Sequence, residues 1–366
     1  MDAVTETLLS DLTTLGVGGP AASYVAAESS DAVVDAVARA DAAGEPLLVL
    51  GGGSNLLIGD EGFAGTVVHV LSRGVEVADR PGGREALMRV AAGEPWDELV
   101  ARAVESGLSG LETLSGIPGT TGATPVQNVG AYGTEVSQLL TRVIAFDRRE
   151  GRRVELGRED LEFSYRDSLL KRESLGSSPR FVVLEVEFAL ARRADSAPVR
   201  YAELARTLGV EVGERAPAAE VRRAVLGLRA GKGMVLDPGD RDTFSTGSFF
   251  TNPIIPAEEA GSVPEDAPRY PVLDPTGEVD ASKIKLSAAW LIQHAGFTKG
   301  FGLGGESSRI AGGRSSLSTK HTLAVTNRGG ASAGDVLAIA RTVRDGVQEA
   351  FGVRLEAEPV LLGTEL

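Results

Sequence analysis

The feature that most constrains the fold is a long stretch, residues 116–133, that is rich in glycine and contains no charged side chain. A stretch of this length and composition is unusual for a simple connection between two elements. Glycine permits positive φ and close approach of the backbone, and the Thr, Gln and Asn side chains add neutral hydrogen-bonding groups. Such donors suit a flavin ring and its pyrophosphate, and the alternative is a structural Ω-loop.

Another glycine-rich segment, GGGSN at residues 51–55, follows a predicted buried strand at residues 46–50. In chain order, residues 51–55 are the first glycine loop and residues 116–133 are the second. Its backbone amides could approach a diphosphate closely, and its Ser and Asn add neutral donors. It is not the G-x-G-x-x-G dinucleotide fingerprint, because no long helix is predicted directly after it. Taken alone, this segment is equally consistent with an ordinary turn.

The rest of the pattern predicts an α+β protein with more than one domain. A hairpin is predicted from residues 142–146 and 153–156, and the acidic, Pro- and Gly-bearing residues 257–279 are predicted to form a surface insertion. Helices are predicted at 29–44, 94–106, 217–229, 286–294 and 332–351, and further strands at 56–58, 66–71, 88–92, 181–190, 322–326 and 353–362.

Composition excludes several classes of site. The chain of 366 residues has no cysteine, which removes disulfides, thiolate metal sites, iron–sulfur clusters and thiol nucleophiles. We identify no metal-ligand cluster, no apolar stretch long enough to insert into a membrane, and no signal peptide, so a cytoplasmic location is expected. The formal net charge of −14 opposes binding to nucleic acid. An anionic substrate would therefore require local cations.

An ordered series of short motifs runs from about Thr13 to Gly363. The motifs are GGGSN at 51–55, GIPGTTGATPVQNVGAYG at 116–133, SYRDS at 164–168, TGSFFTNP at 246–253, AAWLI at 288–292, LSTKH at 317–321 and EAEPV at 356–360. Each motif is weak alone, but their order is specific, and in this ordered set the chain resembles the UDP-N-acetylenolpyruvoylglucosamine reductase family.

The resemblance implies a two-lobed FAD-binding domain of the vanillyl-alcohol-oxidase-like type, followed by a C-terminal α/β substrate-binding domain. The expected boundaries are 1–72 and 73–232 for the two lobes and 233–352 for the substrate-binding domain. Residues 353–366 are expected to form a strand that returns to the active site. Leu15 stands where the family usually has Phe, which puts the flavin contacts there in question. A monomer is expected.

The resemblance also implies the reaction. FAD takes a hydride from NADPH, and the reduced flavin passes it to the vinyl carbon of UDP-N-acetylglucosamine enolpyruvate, which gives UDP-N-acetylmuramate. Ser248 is expected to protonate the resulting carbanion, while Arg166 and Glu358 stabilise its carboxylate; Glu358 could be a protonated acid or could orient Arg166 and water. Without the resemblance, Arg166 reads as a salt-bridged surface residue, Ser248 as a turn residue and Glu358 as an exposed charge at a strand end.

Further site residues follow from the same resemblance. Substrate binding is expected of Tyr165, Tyr201, Arg229, Lys232 and Asn252, and Lys320 and His321 are either phosphate contacts or a helix-flanking pair. FAD binding is expected of Gly51, Gly52, Gly53, Ser54, Asn55, Gly116, Ile117, Pro118, Gly119, Gly122, Ala123, Gln127, Asn128, Gly130, Ala131, Tyr132 and Gly133.

Two other functions remain as alternatives. An FAD-linked oxidase of the same fold often binds flavin covalently through His or Cys, and neither glycine loop contains either residue. A non-catalytic nucleotide-sugar sensor would not need Ser248, Arg166 and Glu358 together.

Overall fold

The computed structural model describes residues 7–175, 178–272 and 278–366. The chain forms two compact units that alternate along the sequence. The central unit contains the described residues of 21–53 and 64–231, and the terminal unit contains those of 1–20, 54–63 and 232–366. Each unit has a buried apolar core of its own. The chain passes from the central to the terminal unit within the first glycine loop, between Gly53 and Ser54.

The described residues form the following strands and helices. The strands are β1 Ala21–Ala27, β2 Leu47–Leu50, β3 Leu56–Ile58, β4 Phe63–Val70, β5 Val75–Asp79, β6 Glu85–Ala91, β7 Leu108–Ser109, β8 Gly130–Ala131, β9 Thr134–Glu135, β10 Leu140–Asp147, β11 Arg152–Gly157, β12 Ser174–Leu175, β13 Ser178–Pro179, β14 Phe181–Arg192, β15 Ile254–Pro256, β16 Arg269–Tyr270, β17 Lys283–Leu286, β18 Ser315–Leu317, β19 Val325–Asn327 and β20 Val360–Leu362. The helices are α1 Ser30–Ala43, α2 Trp96–Glu105, α3 Leu169–Arg172, α4 Ala202–Leu208, α5 Ala218–Gly231, α6 Ala288–His294 and α7 Ala333–Phe351.

The largest sheet of the central unit has the strand order β11–β10–β14–β6–β5, with antiparallel neighbours. Consecutive residues of the middle strand β14 are buried, which requires both faces of the sheet to be covered at that point. Helices α1 and α2 contribute their apolar faces to the same core. A smaller sheet has the order β1–β4–β2, in which β2 and β4 are parallel.

Strong local signals set the predicted elements of this unit. The Ser29 hydroxyl accepts a hydrogen bond from the N–H of Ala32 and begins α1, and Gly44 ends the helix with φ of 66°. The predicted hairpin is confirmed as β10 and β11, and the predicted strand at 181–190 is confirmed as β14.

The terminal unit packs α7 against β18 and β19. A capping box of Ser332 and Asp335 begins α7. The short strands β3 and β20 pair in parallel, although they are distant in sequence. Helices and strands occur in both units, so the predicted α+β class is confirmed. Among the described residues, no helix has the length and apolar character needed to cross a bilayer.

Three predictions about the terminal unit need correction. The strand predicted at 322–326 lies at Val325–Asn327, and the one predicted at 353–362 is limited to Val360–Leu362. Residues 257–279 are not merely a surface insertion, because Val263 and Ala267 belong to the buried core. Isolated apolar residues in an acidic segment give no periodic pattern, and residues 273–277 lie outside the described part of the chain.

Candidate active site

The two glycine loops meet through their backbones inside the central unit. An ideal Cβ placed on Gly52 would lie 2.6 Å from the Cα of Gly119, so only glycine fits there. The loop of residues 116–133 also runs beside the start of α2, where the N–H of Trp96 donates to the carbonyl of Gly119 and the N–H of Gly122 donates to that of Ala92. The result is a fixed, uncharged backbone surface, which fits a planar ligand with a diphosphate.

Asn128 is a structural centre of this loop. Its side chain is buried, donates to the Glu135 carboxylate (2.9 Å) and to the Ser164 carbonyl (3.1 Å), and accepts from the N–H of Ser137 (3.2 Å). Its φ of 47° lies in the left-handed region, which Asn tolerates better than most residues. Because the side chain is engaged within the protein, the predicted contact of Asn128 with FAD would use its backbone.

Arg166 is held by the same loop. It lies in the tight turn of residues 164–167 with φ of 55°. Its Nη2 donates to the carbonyl of Gly130 (3.1 Å), its Nη1 donates to the carbonyl of Asn128 (3.5 Å), and its guanidinium lies 5.3 Å from the centre of the Tyr165 ring. The structure therefore brings together the predicted residues Tyr165 and Arg166 and the second glycine loop.

Tyr201 and Arg229 also lie near this loop. The Tyr201 ring packs edge-on against the Tyr132 ring at 5.4 Å, and Tyr132 packs against the small core formed by residues of α4, α5 and their flanking segments. Burial lowers the pKa of Arg229, and the nearby Tyr132 and Asp97 oppose this shift. Tyr132 of the second glycine loop thus contacts Tyr201 and interacts electrostatically with Arg229, the two residues here that were predicted to bind substrate.

Ser248 and Glu358 come together in the terminal unit through backbone pairing. The N–H of Glu358 donates to the carbonyl of Phe249 (2.9 Å), and the N–H of Phe249 donates to the carbonyl of Leu323 (2.7 Å). Gly247, with φ of 75°, makes the turn that precedes Ser248. Ser248 and Glu358, both half-buried residues, therefore lie on neighbouring segments that are joined by backbone hydrogen bonds.

The remaining predicted residues of this unit are placed as follows. The amide of Asn55 donates to the carbonyl of Glu358 (3.3 Å), which ties the first glycine loop to the Glu358 segment. Asn252 accepts from the N–H of Ala288 (3.0 Å) at the start of α6. Lys320 pairs with Asp240 and so does not require a phosphate partner. Leu15, which replaces the family's Phe, is buried in the core of this unit.

His321 interacts electrostatically with Lys232 and Lys299. Burial, with the positive charges of Lys232 and Lys299, lowers the pKa of His321 to about 4. The imidazole is therefore neutral at pH 7, and the structure places the predicted residue Lys232 in the same neighbourhood.

We predict that this histidine makes the protein less stable in mild acid. The unfolded chain takes up a proton at His321 below about pH 6.5, whereas the folded state does so only near pH 4, so stability falls as pH decreases through this window. Between pH 7 and pH 5 this group should contribute a loss of about 2 kcal/mol. Urea denaturation at both pH values should show a smaller loss for His321→Gln.

The exposed His294 supplies the matched control, and His294→Gln should retain the pH dependence of the unsubstituted protein. An unchanged pH dependence in His321→Gln would show that His321 is not the group responsible.

Sequence reasoning missed a polar contact behind the first glycine loop. The Tyr24 hydroxyl lies 2.8 Å from Nδ1 of His69, and His69 also forms a hydrogen bond with the backbone of Gly51. Burial lowers the pKa of His69, and the bond with Gly51 partly offsets this shift. No local pattern links these positions in the sequence.

Among the described residues, no group of three His, Cys, Asp or Glu side chains is arranged to hold a metal ion.

Comparisons with known proteins agree with this arrangement. Residues 21–157 match the family model of an FAD-binding domain, and residues 238–362 match that of the UDP-N-acetylenolpyruvoylglucosamine reductase C-terminal domain. The first match spans both glycine loops, and the second spans Ser248 and Glu358. The expected FAD-binding domain and C-terminal domain are thereby confirmed.

Curated relatives cover nearly the whole chain. The UDP-N-acetylenolpyruvoylglucosamine reductase of Saccharopolyspora erythraea is 53% identical over 98% of this chain and 95% of its own length. That of Nocardia farcinica is 53% identical over 98% of this chain and 89% of its own length. The crystal structure of the enzyme of this name from Thermus caldophilus matches with a TM-score of 0.61 at 27% identity, over 98% of each chain.

Proposed function

Because the chain belongs to the UDP-N-acetylenolpyruvoylglucosamine reductase family, we propose that it reduces UDP-N-acetylglucosamine enolpyruvate to UDP-N-acetylmuramate with NADPH. The protein is an FAD-dependent oxidoreductase of peptidoglycan precursor synthesis. Bound FAD supplies the chemistry of hydride transfer, from NADPH to the terminal vinyl carbon of the substrate. The protein's own residues have to stabilise the charge that this addition creates, and they have to deliver a proton.

Hydride addition leaves a carbanion beside the substrate carboxylate, and its charge spreads onto the carboxylate oxygens. We assign Arg166 to these oxygens, because a guanidinium presents two parallel donors and keeps its charge. The contacts of Arg166 with the carbonyls of Gly130 and Asn128 support this role, since they fix the cation before substrate arrives. Tyr165 and Tyr201 are proposed to contact substrate from the same unit.

We assign the proton to Ser248. Its Oγ–H bond breaks as the new C–H bond forms, which converts the carbanion into the lactyl ether, and water or a neighbouring acid then returns a proton to the alkoxide. The observation that supports this assignment is the backbone pairing that fixes the Ser248 and Glu358 segments beside each other. Glu358 is accordingly proposed either as the protonated group that restores the hydroxyl or as the group that orients water and Arg166.

The test begins with the cofactor of the purified protein. We expect one FAD per chain, bound without a covalent link, so acid denaturation should release the flavin into the supernatant. Under anaerobic conditions, NADPH should bleach the yellow colour, and UDP-N-acetylglucosamine enolpyruvate should restore it in stoichiometric amount.

Each alternative gives a different result in the same experiment. Flavin that stays on the acid pellet, or reoxidation by oxygen but not by the enolpyruvyl sugar, would indicate an oxidase. Binding of the nucleotide sugar without any restoration of colour would indicate a sensor. The presence of FMN in place of FAD would contradict the assignment of the two glycine loops.

A further inference from the structure

Asp97, in the first turn of α2, joins two parts of the central unit that carry proposed ligand contacts. Its Oδ1 accepts from the N–H of Gly116 (2.6 Å), the first residue of the second glycine loop. Its two carboxylate oxygens also accept from Nη1 (2.6 Å) and Nη2 (2.8 Å) of Arg222 on α5. One carboxylate thus holds both the start of the second glycine loop and helix α5.

The ion pair between Asp97 and Arg222 is geometrically specific. Two parallel N–H···O bonds fix the orientation of a guanidinium as well as its distance, which a single contact does not do. The Arg222 side chain is only 17% exposed, so water competes weakly for its donors. Burial disfavours the ionised form of Asp97, but hydrogen bonds from Arg222 and Gly116 outweigh this effect and lower its pKa. The carboxylate is therefore ionised wherever the enzyme is folded near neutral pH.

Arg222 shares its helix with Arg229. The two residues are seven positions apart, which places them two turns apart on the same face of α5. Arg229 in turn interacts electrostatically with both Asp97 and Tyr132. A displacement of α5 from Asp97 would therefore move Arg229 relative to Tyr132 of the second glycine loop.

We propose that Asp97 is a positioning residue that fixes the second glycine loop against helix α5, so that the loop and Arg229 are held in the positions that bind phosphate-bearing ligands. The inference rests on the proposed function, since it takes residues 116–133 as the FAD contact and Arg229 as a contact for the nucleotide diphosphate. In this role Asp97 acts through its hydrogen bonds with Gly116 and Arg222, and it is assigned no contact with FAD or substrate of its own.

The chain offers a matched control in Asp147. This residue also accepts two hydrogen bonds from one guanidinium, Nε of Arg180 (3.0 Å) and Nη2 of Arg180 (2.7 Å), and it also accepts backbone N–H bonds from Arg149 and Glu150. It is the last residue of β10, and none of its partners Arg149, Glu150 and Arg180 is assigned to a ligand. Loss of Asp147 should therefore reduce stability without a selective effect on binding.

The experiment compares Asp97→Asn and Asp147→Asn as purified, FAD-loaded enzymes. A hydrogen-bonded charge pair of this kind corresponds to about 10–100-fold in an equilibrium constant, and we take the lower end because the Asp97 side chain is 39% exposed. Asp97→Asn should raise the dissociation constant of FAD and the KM for UDP-N-acetylglucosamine enolpyruvate by about tenfold each. With FAD and substrate saturating, kcat should remain within about threefold, because no reacting group is altered.

Arg222→Met supplies a second variant that leaves Asp97 and Gly116 in contact. It should raise the KM for the enolpyruvyl sugar more than it raises the dissociation constant of FAD, because only the α5 side of the arrangement is released. The thermal midpoint of each variant shows whether the protein remains folded during the measurement.

The outcomes separate this inference from the proposed function. If the unsubstituted protein binds FAD and reduces the enolpyruvyl sugar, but Asp97→Asn binds both as tightly, the positioning role is wrong. An equal loss of affinity in Asp147→Asn would show that the effect is a general consequence of lower stability and would also overturn the role. If the unsubstituted protein binds no FAD or does not turn over this substrate, the proposed function itself fails.

Discussion

Ser248→Ala should slow reoxidation of the flavin by UDP-N-acetylglucosamine enolpyruvate by about 10²–10⁴-fold, the usual effect of losing a general acid. Flavin reduction by NADPH should remain nearly unchanged, because that step does not require a proton from Ser248. Anaerobic stopped-flow measurement of the two half-reactions, after the bound flavin has been quantified, distinguishes these effects.

The structure makes this substitution a clean test of the hydroxyl. The backbone on either side of Ser248 is held by the turn at Gly247 and by the pairing of Phe249 with Leu323 and Glu358. Alanine can adopt the same backbone, and replacing a turn hydroxyl should cost at most about 1–2 kcal/mol of stability. Ser248→Cys should recover part of the rate, since a thiol can also deliver a proton and has a lower pKa.

Ser308 provides the control. It is half-buried like Ser248, lies in the same unit, and donates to the carbonyl of Gly305, so Ser308→Ala should leave both half-reactions unchanged. If Ser248→Ala slows flavin reduction as much as reoxidation, Ser248 positions the flavin instead, and Glu358 becomes the next candidate for the acid.

Much of the central unit could be predicted because its elements carry strong local signals. Helix α1 has a serine cap, an apolar face and a terminal glycine, and the hairpin of β10 and β11 has polar turn residues between two strand-like runs. Such signals depend on residues a few positions apart, which is the range over which capping, helix periodicity and turn geometry act.

The strands that were missed or misplaced are short. Strand β20 is limited to the three residues that pair with β3 from the other end of the sequence, β19 is shifted from the predicted 322–326, and β18 was not predicted. A strand of three residues is too short to show a clear alternation, so its bounds depend on the strand with which it pairs. The burial of Val263 and Ala267 likewise follows from tertiary packing and not from the composition of their segment.

The candidate site shows the same division. The motifs predicted which residues lie in the glycine loops and which carry charge, and their individual roles stay predictions. The supporting contacts of Asp97, His69 and the Asn128 side chain were missed. An aspartate in the first turn of a helix is expected for the helix dipole alone, so nothing local distinguishes Asp97 from Glu98 beside it. The partners of Asp97, which are Gly116 and Arg222 of α5, are close to it only in the folded structure.

Arg166→Lys should reduce kcat/KM for the enolpyruvyl sugar by about 10–100-fold, although it conserves the charge. The guanidinium is fixed by donation to the carbonyls of Gly130 and Asn128. Because this group is planar, it can present parallel N–H donors to the two oxygens of the substrate carboxylate. An ammonium is a point charge that cannot reproduce this arrangement. Lysine and arginine carry a similar penalty for φ of 55°, so the substitution isolates the head group from the strain of the turn. Steady-state kinetics with saturating NADPH provide the measurement.

Arg269 is a suitable control, because it also donates to two backbone carbonyls, those of Val263 (3.0 Å) and Pro264 (3.3 Å), and has no assigned role in the reaction. Arg269→Lys should therefore retain nearly full kcat/KM. Near-normal activity in Arg166→Lys would mean that only the positive charge matters at this position. A loss confined to flavin reduction by NADPH would instead place Arg166 in the first half-reaction, since stabilisation of the substrate carboxylate can affect only the second.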